Sequence, residues 1–224
     1  PASLRPEVAG RSPALMTWPL PEREGAVAAT APAAVQALER ERRGRVVRVI
    51  GPGLGRGEGA AACLDVLLGL RARGDGAGGL GEAVPPPTVL DADGLNLVAA
   101  AGVERLRQRP GPFPLILTPH PGEAARLLDR STAEVQAGRP AAARELAERA
   151  GAVVVLKGAG TLVAAPGGAL FFCARGHPGM ASAGMGDALA GVIGALLAQG
   201  LEAVDAAVLG VYLHALAGEL AALH

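Results

Sequence analysis

The chain contains 224 residues, half of them apolar, and its 21 basic and 21 acidic side chains give a formal net charge of zero. This length predicts one domain, and the composition supplies enough apolar material for a buried core. Balanced charge and an aromatic content of only 2% argue against a nucleic-acid partner. The sequence has neither a signal-peptide pattern nor an uncharged run of membrane-spanning length, which predicts a cytoplasmic protein without a membrane partner.

The amino-terminal part of the sequence has little pattern. Residues 1–25 are rich in proline and predict an extended lead-in, whereas residues 26–43 have the composition of a helix. Because the chain starts at Pro1 rather than at methionine, we expect it to be part of a longer product. The two cysteines, Cys63 and Cys173, lie in apolar surroundings without metal-ligand spacing and are predicted to be reduced core residues.

The rest of the sequence alternates short β-branched runs with segments of helical composition. The predicted strands cover residues 45–50, 88–90, 115–117, 152–156, 162–165 and 169–173, and the last two form a hairpin around a Pro-Gly-Gly turn. The predicted helices cover residues 58–71, 122–129, 140–150 and 202–220, another helix starts near Asp187, and a Gly/Pro loop covers 73–87. This order predicts an α/β fold, a three-layer, mostly parallel sheet with helices on both faces.

Every candidate functional segment directly follows a predicted strand. These segments are GPGLG at 51–55, DADG at 91–94, TPHPGE at 118–123 and KGAGT at 157–161. Ligands of open α/β sheets bind at the carboxyl ends of the strands, so this placement favours a small-molecule enzyme over a scaffold. Asp91 and Asp93 either hold a metal-bound phosphate or cap the next helix. Two prolines preset the backbone around His120, which is a binding candidate or a structural residue.

Lys157 is the only lysine in a sequence whose other basic residues are all arginine. A position that keeps lysine against this bias is predicted to need a slim, rotatable ammonium rather than a planar guanidinium. The alternative is that this lysine has survived by chance.

The segment 176–197 changes from glycine and small residues to a smoothly apolar helix. A helix that starts here directs the free amides of Gly184, Met185 and Gly186 at one point, and the helix dipole adds positive potential. A carboxylate is costly inside an anion site, so Asp187 is predicted to take a proton from a substrate. The alternative is a flexible loop with Asp187 as an ordinary helix cap.

The same segments resemble the NAD(P)H-hydrate dehydratase family, whose members have a ribokinase-like fold. The resemblance extends from about Val46 to the carboxyl terminus. It is carried in order by GPGLG (51–55), DADGLN (91–96), LTPHPGE (117–123), LKGAGT (156–161), GMASAGMGDALAG (179–191) and VYLHALAGEL (211–220). Each segment is short, but six of them in the family's order are specific.

The resemblance implies a repair enzyme for NADH or NADPH hydrated at C6 of the nicotinamide ring. ADP or ATP phosphorylates the C6 hydroxyl, and loss of phosphate restores the ring double bond. The resemblance also implies that Mg²⁺ accompanies the nucleotide, although no residue pattern forms a dedicated metal site. We also expect a homo-oligomer, but no residue specifies its subunit number.

The resemblance assigns a role to each matching residue. Asp187 is the catalytic base and also contacts the substrate, together with Gly55 and His120. The amides of Gly184, Met185 and Gly186 form the anion hole. The nucleotide-binding residues are Lys157, Gly158, Ala159, Gly160, Thr161 and Gly186. Asp91 and Asp93 match a strand-end acidic motif.

Two features depart from the family pattern. The usual opening strand and Gly-rich turn do not precede Ala26, so residues 1–224 are expected to be one amino-terminally incomplete domain with an exposed sheet edge. An epimerase domain precedes this domain in many members. His177 also replaces a commoner asparagine.

Two alternatives to the dehydratase function stay open. One is a kinase for a vitamin-precursor alcohol, either hydroxymethylpyrimidine or hydroxyethylthiazole, and the other is an inactive nucleotide-binding module.

Overall fold

The computed structural model describes residues 16–41, 45–70 and 85–223, together with Ser3, Pro6, Glu7 and Gly10. The strands are β1 Glu22–Arg23, β2 Ala26–Val27, β3 Arg48–Ile50, β4 Thr88–Leu90, β5 Leu115–Leu117, β6 Val153–Leu156, β7 Thr161–Ala164 and β8 Leu170–Cys173. The helices are α1 Ala31–Glu41, α2 Glu58–Leu67, α3 Ala92–Ala101, α4 Pro121–Leu128, α5 Thr132–Ala137, α6 Arg139–Ala150, α7 Met185–Ala198 and α8 Ala203–Ala221. Short 3₁₀ helices cover Val103–Gln108 and Pro178–Met180.

Within the described residues, the main sheet has six strands in the order β3-β4-β5-β6-β7-β8. The first four strands are parallel, and the last two add an antiparallel hairpin at one edge. Parallel neighbours need crossover segments, which are supplied by the helices between the strands. The predicted α/β class and the mostly parallel sheet are confirmed.

The sheet separates two apolar layers because successive side chains of a strand point to opposite faces. Val89, Ile116 and Val155 pack in one cluster with buried residues of α7 and α8. Leu90 and Leu117 point the other way and pack with α2, α3, α4 and α6. Strands buried on both faces are almost continuously apolar, as β4, β5 and β6 are. The predicted three layers are therefore present.

The final helix, α8, lies on the sheet as part of the second layer. By length and composition alone it could cross a membrane, a test that the core helices of soluble proteins also pass. Its residues Ala206, Ala207 and Val211 are buried against the sheet cluster. The predicted range 202–220 matches the observed helix to within one residue at each end.

The predicted helix over 26–43 is wrong at its start. Ala26–Val27 instead pairs antiparallel with Glu22–Arg23, so the end of the predicted lead-in forms a small hairpin. Glu24 and Gly25 have φ values of 53° and 77°, which is the positive-φ pair that a two-residue hairpin turn requires. Most of residues 1–15 and residues 42–44 lie outside the described part of the chain.

Several other boundaries differ from prediction because local patterns do not show where tertiary contacts stop. The strand predicted from residue 45 begins at Arg48, and the helix predicted over 58–71 ends at Leu67. Most of the predicted loop 73–87 lies outside the described residues. Helix α5 and the 3₁₀ helix Val103–Gln108 were not predicted. In the described structure β3 is an edge strand, and Val49 is 42% exposed there.

Candidate active site

The strand-end segments meet at one edge of the sheet. The loop after β3 and the loop after β4 pack so closely that a Cβ on Gly51 would collide with the carbonyl of Asp91. The amide of Lys157 donates to the carbonyl of Pro119 at 2.8 Å, which joins the loops after β5 and β6. Parallel strands in register therefore bring all four predicted segments together.

A charged cluster lies at the centre of this edge. Lys157 Nζ donates to Asp91 Oδ1 at 2.7 Å and lies 3.9 Å from Glu123 Oε2. The side chains of Lys157, Asp91 and Glu123 are 18%, 1% and 6% exposed. Burial of two carboxylates is unfavourable without a cation, and the ammonium supplies it. Glu123 was not predicted as a site residue, although it ends the TPHPGE segment.

Asp91 does not cap the following helix, so that alternative is wrong for this residue. It occupies the N-cap position of α3, yet in the described structure its side chain makes no capping hydrogen bond. The next residue, Ala92, has a φ of 47°, which is unfavourable for a residue with a Cβ. The carboxylate extends to Lys157 instead, and Asp91 Oδ2 is buried without a hydrogen-bond partner among the described residues.

Asp93 holds a different loop. Its Oδ2 accepts a hydrogen bond from the amide of Gly55 at 3.0 Å, and its Oδ1 accepts one from Arg56 Nε at 2.9 Å. Gly55 has a φ of 82°, a conformation that favours glycine. Asp93 therefore fixes the end of the GPGLG loop, which contains the predicted substrate contact at Gly55.

His120 acts as the cap of α4. Its Nδ1 accepts hydrogen bonds from the amides of Gly122 and Glu123 at 3.0 and 3.4 Å, and Glu123 Oε2 accepts one from the amide of His120 at 2.8 Å. This reciprocal capping box is reinforced by Pro121 in the first turn. The structural role considered for His120 is thus present. Its imidazole is still 51% exposed and accessible to a ligand at this edge.

A residue that sequence reasoning missed supports the KGAGT loop from the face of the sheet opposite to α7. Arg139, at the start of α6, donates to the carbonyls of Leu156 at 3.1 Å, Lys157 at 3.3 Å and Gly160 at 3.2 Å. Burial removes part of the hydration of its guanidinium and thereby lowers the pKa of this group. The three carbonyl acceptors replace the lost hydrogen bonds to water. No local signal distinguishes Arg139 from the many other arginines. Its contacts nevertheless shape the loop that follows β6.

The amino terminus of α7 faces Lys157. A Cβ on Gly186 would lie 3.1 Å from Lys157 Nζ and 3.6 Å from Asp91 Oδ2, so the ammonium approaches the helix backbone closely. The amide of Met185 donates to the Ser182 carbonyl at a long 3.4 Å. The amides of Gly184, Gly186 and Asp187 make no hydrogen bond within the described residues. Free amides and the helix dipole make this terminus suitable for an anion.

Asp187 lies in the first turn of α7 with its side chain exposed. It makes no ion pair or side-chain hydrogen bond with any residue that the structure describes. The carboxylate is therefore accessible, and it is not packed among apolar side chains. This position, one residue after the Gly186 amide, suits a base that acts on a group bound at the helix terminus.

The loop before α7 is anchored to the end of α8. Glu219 accepts hydrogen bonds from the amide of Gly176 at 2.9 Å and from Arg175 Nη1 at 2.6 Å. These bonds lower the pKa of Glu219, with the Gly176 amide as the largest contribution. His177 Nδ1 accepts from the amide of Gly179 at 3.1 Å, a bond that an asparagine side chain at this position would also make.

The two cysteines are free thiols in the described structure. Cys63 is buried, and desolvation raises the pKa of its thiol, whereas Cys173 is half-buried in β8. Neither cysteine is in a disulfide, as predicted for reduced residues. The prediction of a fully buried core position is confirmed only for Cys63.

The sheet order and the helix terminus at its edge define an α/β domain of the ribokinase-like superfamily. More particularly, the chain belongs to the NAD(P)H-hydrate dehydratase family, since the family model of that description matches residues 7–224. The family resemblance seen in the six sequence segments is thereby confirmed.

Two curated relatives show the extent of the similarity. The chain is 45% identical over 172 residues to the ADP-dependent (S)-NAD(P)H-hydrate dehydratase of Neisseria meningitidis serogroup B, covering 77% of this chain and 54% of that protein. It is 44% identical over 176 residues to the bifunctional NAD(P)H-hydrate repair enzyme Nnr of Coxiella burnetii, covering 79% of this chain and 32% of that protein. The chain thus spans about half of the first relative and about a third of the second.

A solved structure agrees with these relatives. The ADP/ATP-dependent NAD(P)H-hydrate dehydratase from Bacillus subtilis, co-crystallised with ATP and Mg²⁺ and soaked with CoA, matches with a TM-score of 0.69. The two chains are 28% identical, and the match covers 98% of this chain and 69% of that chain. The matched region therefore extends over nearly the whole of this chain.

Proposed function

We propose that the protein regenerates NADH or NADPH from the hydrated form of the coenzyme, with ADP or ATP as the phosphoryl donor. The observation that carries this proposal is the convergence of Lys157 Nζ and the Gly186 backbone at the start of α7, beside the exposed Asp187. A cation, free amides and an accessible carboxylate are the groups that transfer of a phosphoryl group to an alcohol requires. Membership of the NAD(P)H-hydrate dehydratase family supports hydrated NADH or NADPH as the alcohol.

The proposed reaction has two steps. Asp187 takes the proton of the C6 hydroxyl, and the hydroxyl oxygen bonds to the terminal phosphorus while the bond to the leaving nucleotide breaks. The C6–O bond of the phosphorylated intermediate then breaks, phosphate leaves with the bonding electrons, and loss of the C5 proton restores the C5–C6 double bond. The amides at Gly184–Gly186 stabilise charge on the transferring group.

The binding roles follow the loops. We assign the nucleotide to the KGAGT segment, Lys157–Thr161, and to Gly186, because Lys157 lies beneath the α7 terminus. We assign the hydrated nicotinamide to Gly55, His120 and Asp187. The Gly55 amide already donates to Asp93, so Gly55 contributes close approach of the backbone rather than a free donor.

The carboxylates of the site are compatible with Mg²⁺ that arrives with the nucleotide. No group of three or more potential metal-ligating side chains occurs among the described residues. Mg²⁺ is commonly held by one or two carboxylates together with substrate phosphates, and the buried Asp91 Oδ2 lacks a partner in the described part of the chain. We propose that Asp91 and Glu123 would hold the ion, which supplies neutralisation of phosphate charge when bound.

The wider context belongs to the same proposal. A cytoplasmic location, a homo-oligomeric assembly and an associated epimerase activity are consistent with a soluble repair enzyme that has bifunctional relatives. Purification of the full-length product and measurement of its mass in solution would test the assembly.

The function is tested by incubating the protein with hydrated NADH and either ADP or ATP, and following the recovery of reduced-nicotinamide absorbance. We expect recovery that depends on the donor and is lost in Asp187→Asn. No recovery with either donor, together with phosphorylation of hydroxymethylpyrimidine or hydroxyethylthiazole, would instead identify a precursor kinase. Binding of both ligands without turnover of any alcohol would identify an inactive nucleotide-binding module.

A further inference from the structure

The two acids of the DADG segment lie two residues apart, yet they bind different parts of the site. Asp91 pairs with Lys157, which follows β6 and is 66 positions away in the sequence. Asp93 pairs with the amide of Gly55 and with Arg56, which follow β3. The segment itself follows β4, which lies next to β3 on one side and is separated from β6 by β5 on the other. It therefore connects the nucleotide side of the edge with the GPGLG side.

Asp91 restricts a side chain that is otherwise flexible. A lysine has four rotatable bonds and loses considerable entropy when its ammonium is held in one place. Here one of the three ammonium donors is used by Asp91 Oδ1 at 2.7 Å, and Glu123 Oε2 lies too far away, at 3.9 Å, for a hydrogen bond. The remaining donors are available at the α7 terminus, where Gly186 approaches Nζ.

The local backbone is consistent with a role beyond helix capping. Ala92 is held at a φ of 47°, and Asp91 gives up the capping bond that its position would allow. One carboxylate oxygen remains buried without a partner among the described residues. These are costs to folding, so the arrangement is expected to serve the site rather than the helix.

We propose that Asp91 and Asp93 are positioning residues for two different ligands. Asp91 places Lys157 for the nucleotide, and Asp93 places the Gly55 loop for the hydrated dinucleotide. This inference rests on the proposed function, because that function assigns the two ligands to Lys157 and Gly55. Neither carboxylate contacts the reacting atoms, and each acts through the group that it holds.

The test compares matched variants, Asp91→Asn and Asp93→Asn, by calorimetric titration with ADP and, separately, with hydrated NADH. EDTA is present throughout, so that loss of a bound divalent cation does not enter the measurement. We expect Asp91→Asn to raise the Kd for ADP about tenfold and to leave that for hydrated NADH unchanged. Asp93→Asn is expected to raise the Kd for hydrated NADH about tenfold and to leave the Kd for ADP unchanged. An effect of either variant on both ligands, or on neither, overturns the division.

A double-mutant cycle separates action through Lys157 from a direct role of Asp91. Lys157→Gln removes the ammonium and keeps a donor for the Asp91 carboxylate. We expect Asp91→Asn to change the ADP Kd less than about twofold in the Lys157→Gln background, because the group that it positions is then absent. Additive effects would show that Asp91 acts on the nucleotide independently. Unchanged or tighter ADP binding by Asp91→Asn alone would also refute the proposal.

Failure to fold is addressed by a second variant. Asp91→Ser keeps a good N-cap residue for α3 but is too short to reach Lys157, so the same weakening of ADP binding is expected. Thermal unfolding of each variant without ligand shows whether the fold is retained. If the unmodified protein binds no ADP, the proposed function fails. If it binds ADP and Asp91→Ser binds equally well, only the positioning role fails.

Discussion

Gly186→Ala tests the geometry of the anion site with one methyl group. The added Cβ would lie 3.1 Å from Lys157 Nζ and 3.6 Å from Asp91 Oδ2, so the ammonium must move by a few tenths of an ångström. The methyl also occupies the space beside the Gly186 amide. Losing one charge-assisted hydrogen bond costs about 1.5–3 kcal/mol, which predicts ADP binding weaker by about 10- to 150-fold. The folded state is expected to tolerate the change, because only a flexible side chain has to move.

Gly191→Ala is the matched control on the same helix. Its added Cβ meets no atom within 4 Å, and alanine is favoured over glycine in a helix by up to about 1 kcal/mol. Thermal unfolding should therefore show equal or higher stability for both variants, whereas calorimetry with ADP should show loss of affinity only for Gly186→Ala. Equal ADP affinity in both variants would refute a phosphate site at the start of α7.

Three further predictions concern the same edge of the sheet. Asp187→Asn should lower turnover by about 10²–10⁴-fold with little change in the ADP Kd, and comparable turnover would remove Asp187 from the mechanism. Lys157→Ala should weaken ADP binding through lost phosphate contacts, and an unchanged Kd would mean that the single lysine is accidental. Glu219 has a folded pKa below its ordinary value of 4.5 because the Gly176 amide and Arg175 donate to it. Its contribution to the free energy of unfolding is therefore complete above pH 4.5 and is lost as the pH falls through the lowered pKa. In Glu219→Gln the free energy of unfolding should fall less steeply with decreasing pH in this acidic range.

Local sequence was sufficient for elements whose residues carry a strong signal of their own. The strands Thr88–Leu90 and Leu115–Leu117 have the predicted bounds, since each is a short, largely apolar run that starts directly after a proline and ends before a polar residue. The predicted hairpin around residues 166–168 is also present. Helix α5 was missed because its six residues are too few for a periodic pattern, even though Ser131 and Glu134 form a capping box that could have identified it.

The candidate site was predicted in part. Asp187, Gly186 and Lys157 were singled out from their positions and composition, and the structure brings Gly186 and Lys157 together. Arg139 was not found, because its function depends on three carbonyls that are distant from it in the sequence. For Asp91 the sequence offered only a metal-phosphate role or a helix cap, because its ion-pair partner Lys157 is 66 residues away.

The sequence by itself determined the alternation of strands and helices, the family, and the loops that carry the chemistry. These depend on residues close together in the chain, where periodicity, turn residues and motif spacing act. Tertiary structure alone decided that Asp91 binds Lys157 rather than its own helix, and that Asp93 holds Gly55. The physical reason is that a buried carboxylate takes whichever cation or amide the folded sheet places beside it, and strand order rather than local sequence sets those neighbours.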